Sequence, residues 1–104
     1  MIRKAFIMQV HPDKHTEYET LHKEIWPEMI EALHEHGGSN YSIFLDKDTS
    51  KLFGYVEIED EEKWSMMTTT SINQKWWRFM EPVMETNLDN SPVTVDLKEV
   101  FHMD

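Results

Sequence analysis

Apolar residues recur along this chain with two different periods, and the switch from one to the other marks out its elements. Arg3–Val10 (RKAFIMQV) is apolar, β-compatible and stopped by His11-Pro12, which predicts a strand. From Asp13 to His36 the period lengthens, with Tyr18, Leu21, Ile25, Met29 and Leu33 at helical spacing. Asp13 is expected to cap this helix, with Glu17 in its early turns. Pro27 interrupts the run. Proline has no amide proton and disfavours helix at the residue before it, so a kink or break is expected near Trp26. Gly37-Gly38 ends the segment. Asn40–Asp46 and Lys51–Glu59 then predict two strands of a hairpin, turned at Lys47–Ser50. Asp60–Thr70 predicts a short helix opened by an acidic cap. Ser71–Glu85 predicts a longer one carrying Trp76, Trp77, Phe79, Met80 and Val83. Thr86–Thr94 reads as a loop, and Val95–Met103 as a last strand.

The order is β-α-β-β-α-β, the ferredoxin-like α+β arrangement, with both helical segments on one face of a four-stranded antiparallel sheet. The chain reads as a single domain over residues 1–104. The second sheet face then demands an account. In the third strand Leu52, Val56 and Ile58 point one way, Phe53 and Tyr55 the other. In the first, Phe6, Met8 and Val10 oppose Ala5 and Ile7. A sheet with one watery face alternates cleanly, and this one is apolar on both sides. The expected cover is the sheet of a second copy, giving a homodimer of the dimeric α/β-barrel type.

Charge changes the picture by exclusion. Ten basic residues against twenty acidic give a net charge of −10. Nucleic acids and anionic membranes are repelled by that field, whereas an uncharged ligand is indifferent to it. There is no cysteine, which removes thiol nucleophiles, thiolate metal sites and a disulfide framework, and fits a cytoplasmic protein. Ala5–Val10 is too short for a signal-peptide core, and no segment approaches a membrane span.

Three groups of residues can carry chemistry. His22 lies four residues after Tyr18, so the two share a helix face at the margin of the apolar stripe. A histidine at that boundary titrates near neutral pH. Trp76-Trp77 is the second group. Adjacent helical residues project about 100° apart, so one indole is expected in the core and the other beside a cavity. An indole offers a flat apolar face and one N–H donor, which matches the C–H face and rim hydroxyls of a sugar ring. Tyr41, opening the second strand, and Tyr18 each bring a phenol that donates or accepts. Taken singly, each of these has an ordinary structural explanation. His34 and His36 stand two apart near a helix end and do not face together, so no metal site is expected there. The acidic run Glu57–Glu62 reads as a solvated edge and helix start.

Together, RKAFIMQV, YETLHKEIWPEM (Tyr18–Met29), NYSIFLD, KWWRFM (Lys75–Met80) and DNSPVTVDLKEVF (Asp89–Phe101) closely resemble the L-rhamnose mutarotase family, along nearly the whole chain. The resemblance implies a cytoplasmic homodimer of ferredoxin-like subunits that interconverts the α and β anomers of L-rhamnose without metal or cofactor. It places the family's proton-donating histidine on His22 and its sugar-binding residues on Tyr18, Tyr41, Trp76 and Trp77. Mutarotation opens a hemiacetal and closes it on the other face. A base takes the anomeric hydroxyl proton while an acid protonates the ring oxygen. On this basis His22 is expected as the acid, the tyrosines as hydroxyl-orienting groups and one tryptophan as the stacking wall; the second proton-transfer partner is not evident. The fold also hosts other functions. A monooxygenase, with His22 on haem iron, is disfavoured by the charge and by the lack of a basic cluster for the propionates. A non-catalytic sugar-binding module would bind without exchanging anomers.

Overall fold

The computed structural model describes residues 1–104, in the order β1 (Ile2–Gln9), α1 (His15–Lys23), α2 (Pro27–Glu35), β2 (Gly38–Asp46), β3 (Lys51–Ile58), α3 (Glu61–Ser65), α4 (Ser71–Met80) and β4 (Val95–Leu97). Short 3-10 turns extend α3 through Met66–Thr69 and α4 through Glu81–Val83. The strands form one antiparallel sheet in the order β2-β3-β1-β4, the ferredoxin-like topology.

The helical run breaks where proline requires it. α1 ends at Lys23, Trp26 is extended, and Pro27 opens α2 at a position where its missing N–H costs nothing. Asp60 caps α3 by accepting from the Lys63 amide at 2.8 Å. Thr70 caps α4 by accepting from the Asn73 amide at 3.3 Å. The expected Asp13 cap is a correction: α1 starts at His15, with Lys14 at the cap position and no side-chain cap bond. The last strand is also shorter than expected, pairing only over Val95–Leu97. The apolar pattern continues to Met103, but a strand needs a hydrogen-bonded partner, and residues 98–104 pair with no other strand. An ion pair from Arg3 to Glu99 at 2.7 Å holds the start of that segment alongside β1.

The two faces of the sheet are sorted as the alternation predicts. Met8 pairs with Leu52 and Phe6 with Gly54 on the face under the helices. There Met8, Val10, Leu52, Met29, Met80 and Trp76 are buried in one cluster. On the outer face Ile7 pairs with Phe53 and Val95, and Phe53 with Phe44. Phe44 and Val95 are the barest of these, 67% and 58% exposed.

Two local features shape the inner face. A bulge in β2 between Ser39 and Ser42 uses Asn40 at φ 48, a left-handed conformation that asparagine tolerates. It leaves Tyr41 beside Phe6, edge-on at 6.1 Å. Gly54 has no side chain, and the Phe6 ring lies where one would stand. A Cβ at that position would be 2.5 Å from the ring.

Candidate active site

Between the helices and the inner sheet face lies an open cavity of about 1070 Å³, a size typical of small-molecule sites. Its floor is Phe6 and Met8 on β1, and its walls come from α1, α4 and β2. All five residues singled out in the sequence, Tyr18, His22, Tyr41, Trp76 and Trp77, line it.

His22 stands one helical turn after Tyr18, and the imidazole stacks on the phenol at 4.2 Å with 30° between planes. It also meets Trp76 in a T-shaped contact at 5.4 Å and 90°. The ring is therefore held by two aromatic contacts. Its Nδ1 lies 3.0 Å from the carbonyl oxygen of Tyr18. A carbonyl only accepts, so Nδ1 carries the proton and donates it there. Burial lowers the His22 pKa below its ordinary value of 6.5, against a smaller raising effect of the Tyr18 carbonyl. At neutral pH the ring is uncharged, and Nε2 presents a lone pair.

The phenols are the opposite kind of group. Burial, helped by the nearby Tyr41, pushes the Tyr18 hydroxyl well above the usual tyrosine range. The Tyr41 hydroxyl is desolvated and pushed up to about 12, although the residue as a whole is 39% exposed. Both stay protonated at any physiological pH. Neither hydroxyl is taken up by another protein group, so both are free to bond a ligand.

The tryptophans differ in depth, but both line the cavity, so the expectation of one indole in the core and the other beside a cavity holds only in part. Trp76 is buried and braced by Trp26 at 5.0 Å and Phe79 at 5.7 Å. Lys75 sits over the Trp26 ring at 5.1 Å. Trp77 is half-buried at the mouth, where a second small hollow brings it together with Asp89 and Ser91. Those two belong to the loop after α4, which is tied by Asn87 Nδ2 donating to Ser91 Oγ at 3.0 Å and by a bridge between Thr86 and Pro92.

Several polar residues that line this cavity were not picked out from the sequence, Asn73, His15 and Lys4 among them. Asn73 lies one turn before the tryptophans, and the spacing of three and four residues was a usable signal. His15 shares the face of Tyr18 and His22, but its Nε2 is occupied by Ser50 Oγ at 2.7 Å. Lys4 lines the cavity from β1 and pairs with Glu61 at 3.0 Å. His34 and His36 each turn back on a backbone carbonyl, at 3.2 and 2.8 Å.

An antiparallel sheet covered on one face by helices defines a ferredoxin-like α+β protein, here with an aromatic, polar-studded cavity under the helices. A structure of an antibiotic biosynthesis monooxygenase shares this backbone with a TM-score of 0.63 at 13% identity, over 96% of this chain and 99% of that one, which speaks to the fold alone. Sequence narrows the class: the family model for L-rhamnose mutarotase matches residues 3–103, and the chain belongs to that family. An L-rhamnose mutarotase from Oceanobacillus iheyensis is 71% identical over 100% of both chains. The crystal structure of an L-rhamnose mutarotase from Formosa agariphila superposes with a TM-score of 0.92 at 36% identity, again over 100% of both.

Proposed function

We propose that this chain interconverts the α and β anomers of L-rhamnopyranose in this cavity, by acid–base opening and closing of the ring. Family membership supports the substrate. The observation that carries the chemistry is the locked His22 tautomer, with a free Nε2 beside two unpaired phenols.

His22 enters as the base. Its Nε2 takes the anomeric hydroxyl proton, the C1–O1 double bond forms, and the bond from C1 to the ring oxygen breaks. That oxygen keeps the electron pair and takes a proton from Tyr18 or Tyr41. Rotation about the bond from C1 to C2 turns the aldehyde. On closure the hydroxyl returns its proton to the phenolate and attacks C1, and the imidazolium protonates O1. His22 is thus the base of the opening half and the acid toward O1 in the closing half, in place of the acid role toward the ring oxygen expected from the resemblance. Protons and electrons balance within these groups. An indole supplies the apolar wall for the ring and its methyl, a group whose burial is worth about 0.8 kcal/mol. Positioned proton transfer contributes about a hundred- to ten-thousand-fold.

The proposal includes a homodimer and a cytoplasmic setting, for which a cysteine-free chain is suited. Phe44, Phe53, Val95 and Leu97 form a continuous bare apolar patch on the outer sheet face, and the same face of a second copy covers it.

The test is saturation-transfer NMR between the α and β anomeric protons of L-rhamnose. Added protein should speed the exchange far above buffer, and His22→Ala should return it toward buffer. Exchange no faster than buffer with the unaltered protein would refute the activity. Full activity in the variant would refute the role of His22.

A further inference from the structure

The polar groups of this protein are satisfied almost everywhere, which makes the exceptions informative. Exposed Asn87 donates to Ser91 and Pro92, and exposed Asn40 donates to Glu57. Asn73 is the reverse case. It is only 5% exposed, yet its side-chain amide has no hydrogen-bond partner, although its backbone N–H is taken by Thr70. No side-chain nitrogen or oxygen that is fully shut off from solvent lacks a partner in this protein. The Asn73 amide must therefore open onto the remaining space beside it, and that space is the cavity.

Its position in the helix fixes what it sees. Asn73, Trp76, Trp77 and Met80 fall on one face of α4, and all four line the cavity. Asn73 stands one turn, roughly 5 Å along the axis, from the indole pair. That is about the width of a pyranose ring. A sugar lying against an indole would bring its rim to the amide. An amide holds one acceptor and two donors, which suits two neighbouring ring hydroxyls, each of which both gives and takes. Tyr18 and Tyr41 share the same signature of a desolvated polar group facing the cavity without a protein partner.

We propose that Asn73 is a sugar-binding residue of this site, hydrogen-bonded to ring hydroxyls away from the anomeric centre. This rests on the mutarotase reading above. It takes no part in proton transfer. Its contact is present equally in the ring-closed ground state and during opening, so it contributes to KM and leaves kcat nearly unchanged.

The experiment is a binding cycle. The affinities of wild type, Asn73→Leu and Asn73→Ala are measured by calorimetry for L-rhamnose and for analogues each lacking a single ring hydroxyl. Both variants should bind L-rhamnose about tenfold more weakly than wild type. At least one analogue should bind wild type and variants alike, because the hydroxyl that Asn73 contacts is already gone. The other analogues should keep the tenfold ratio. Kinetics by the NMR exchange assay should show the loss in KM. A ratio near one for L-rhamnose would overturn the contact, and so would the same ratio across every analogue, which marks a structural effect. A wild type that does not bind L-rhamnose at all would overturn the mutarotase reading and the contact with it.

Discussion

The two faces of one sheet are unfinished in different ways. The inner face, under the helices, is well covered, but its cavity holds polar groups without partners: the Nε2 of His22 and the hydroxyls of Tyr18 and Tyr41. The outer face has its backbone paired and lacks apolar cover, with Phe44, Phe53, Val95 and Leu97 open to water. Lone hydrogen-bonding groups in a desolvated pocket call for a small polar molecule, while a flat apolar strip calls for another folded surface.

Mutations that act on one face and spare the other sharpen this contrast. The largest effect is expected from His22→Ala, which should slow anomer exchange by about a hundred- to ten-thousand-fold while the near-ultraviolet spectrum and the oligomeric state hold. A monomeric variant would merge the two faces into one. The converse is Phe53→Glu on the outer strip, which should weaken self-association by about a hundredfold in sedimentation experiments. An assembly state untouched by that charge would show that the strip is not the interface. Removing a single hydroxyl is a gentler break: Tyr41→Phe should weaken sugar binding by about tenfold, read by calorimetry.

The smallest effect is a shape. Burial lowers the His22 pKa, and the neutral ring is the base, so kcat/KM should fall on acidification with its midpoint below the ordinary histidine value of 6.5. The same shift bears on folding. The unfolded chain binds this proton more readily than the folded one, so the stability contributed by neutral His22 is complete above 6.5 and declines as pH drops toward the folded-state pKa. A rate that rose on acidification would instead make His22 an acid in the opening step.

Much of this was legible in the sequence because short-range periodicity carries it. The Tyr18–His22 stack follows from a spacing of four, the break before α2 from Pro27, and the two apolar sheet faces from simple alternation in β1 and β3. What escaped depends on contacts between distant segments. The bulge that leaves Tyr41 beside Phe6 is a register event between β2 and β3. The pairing that takes His15 out of the free polar set comes from Ser50, in the turn between those strands. The end of β4 at Leu97 depends on where neighbouring backbone runs out, which apolar residues as far as Met103 do not report. The tautomer of His22 is set by one backbone oxygen, and no side-chain pattern encodes it.

Gly54 gives the cavity a direction in which it can evolve. The Phe6 ring already occupies the place of the missing Cβ, so alanine or anything larger there must displace this ring of the cavity floor. Glycine is the lower limit of side-chain size, and the floor beneath Phe6 is as deep as this position can make it. One substitution at residue 54 can breed a site for smaller ligands, while descendants that accept larger ones must give up bulk elsewhere, beginning with Phe6 itself.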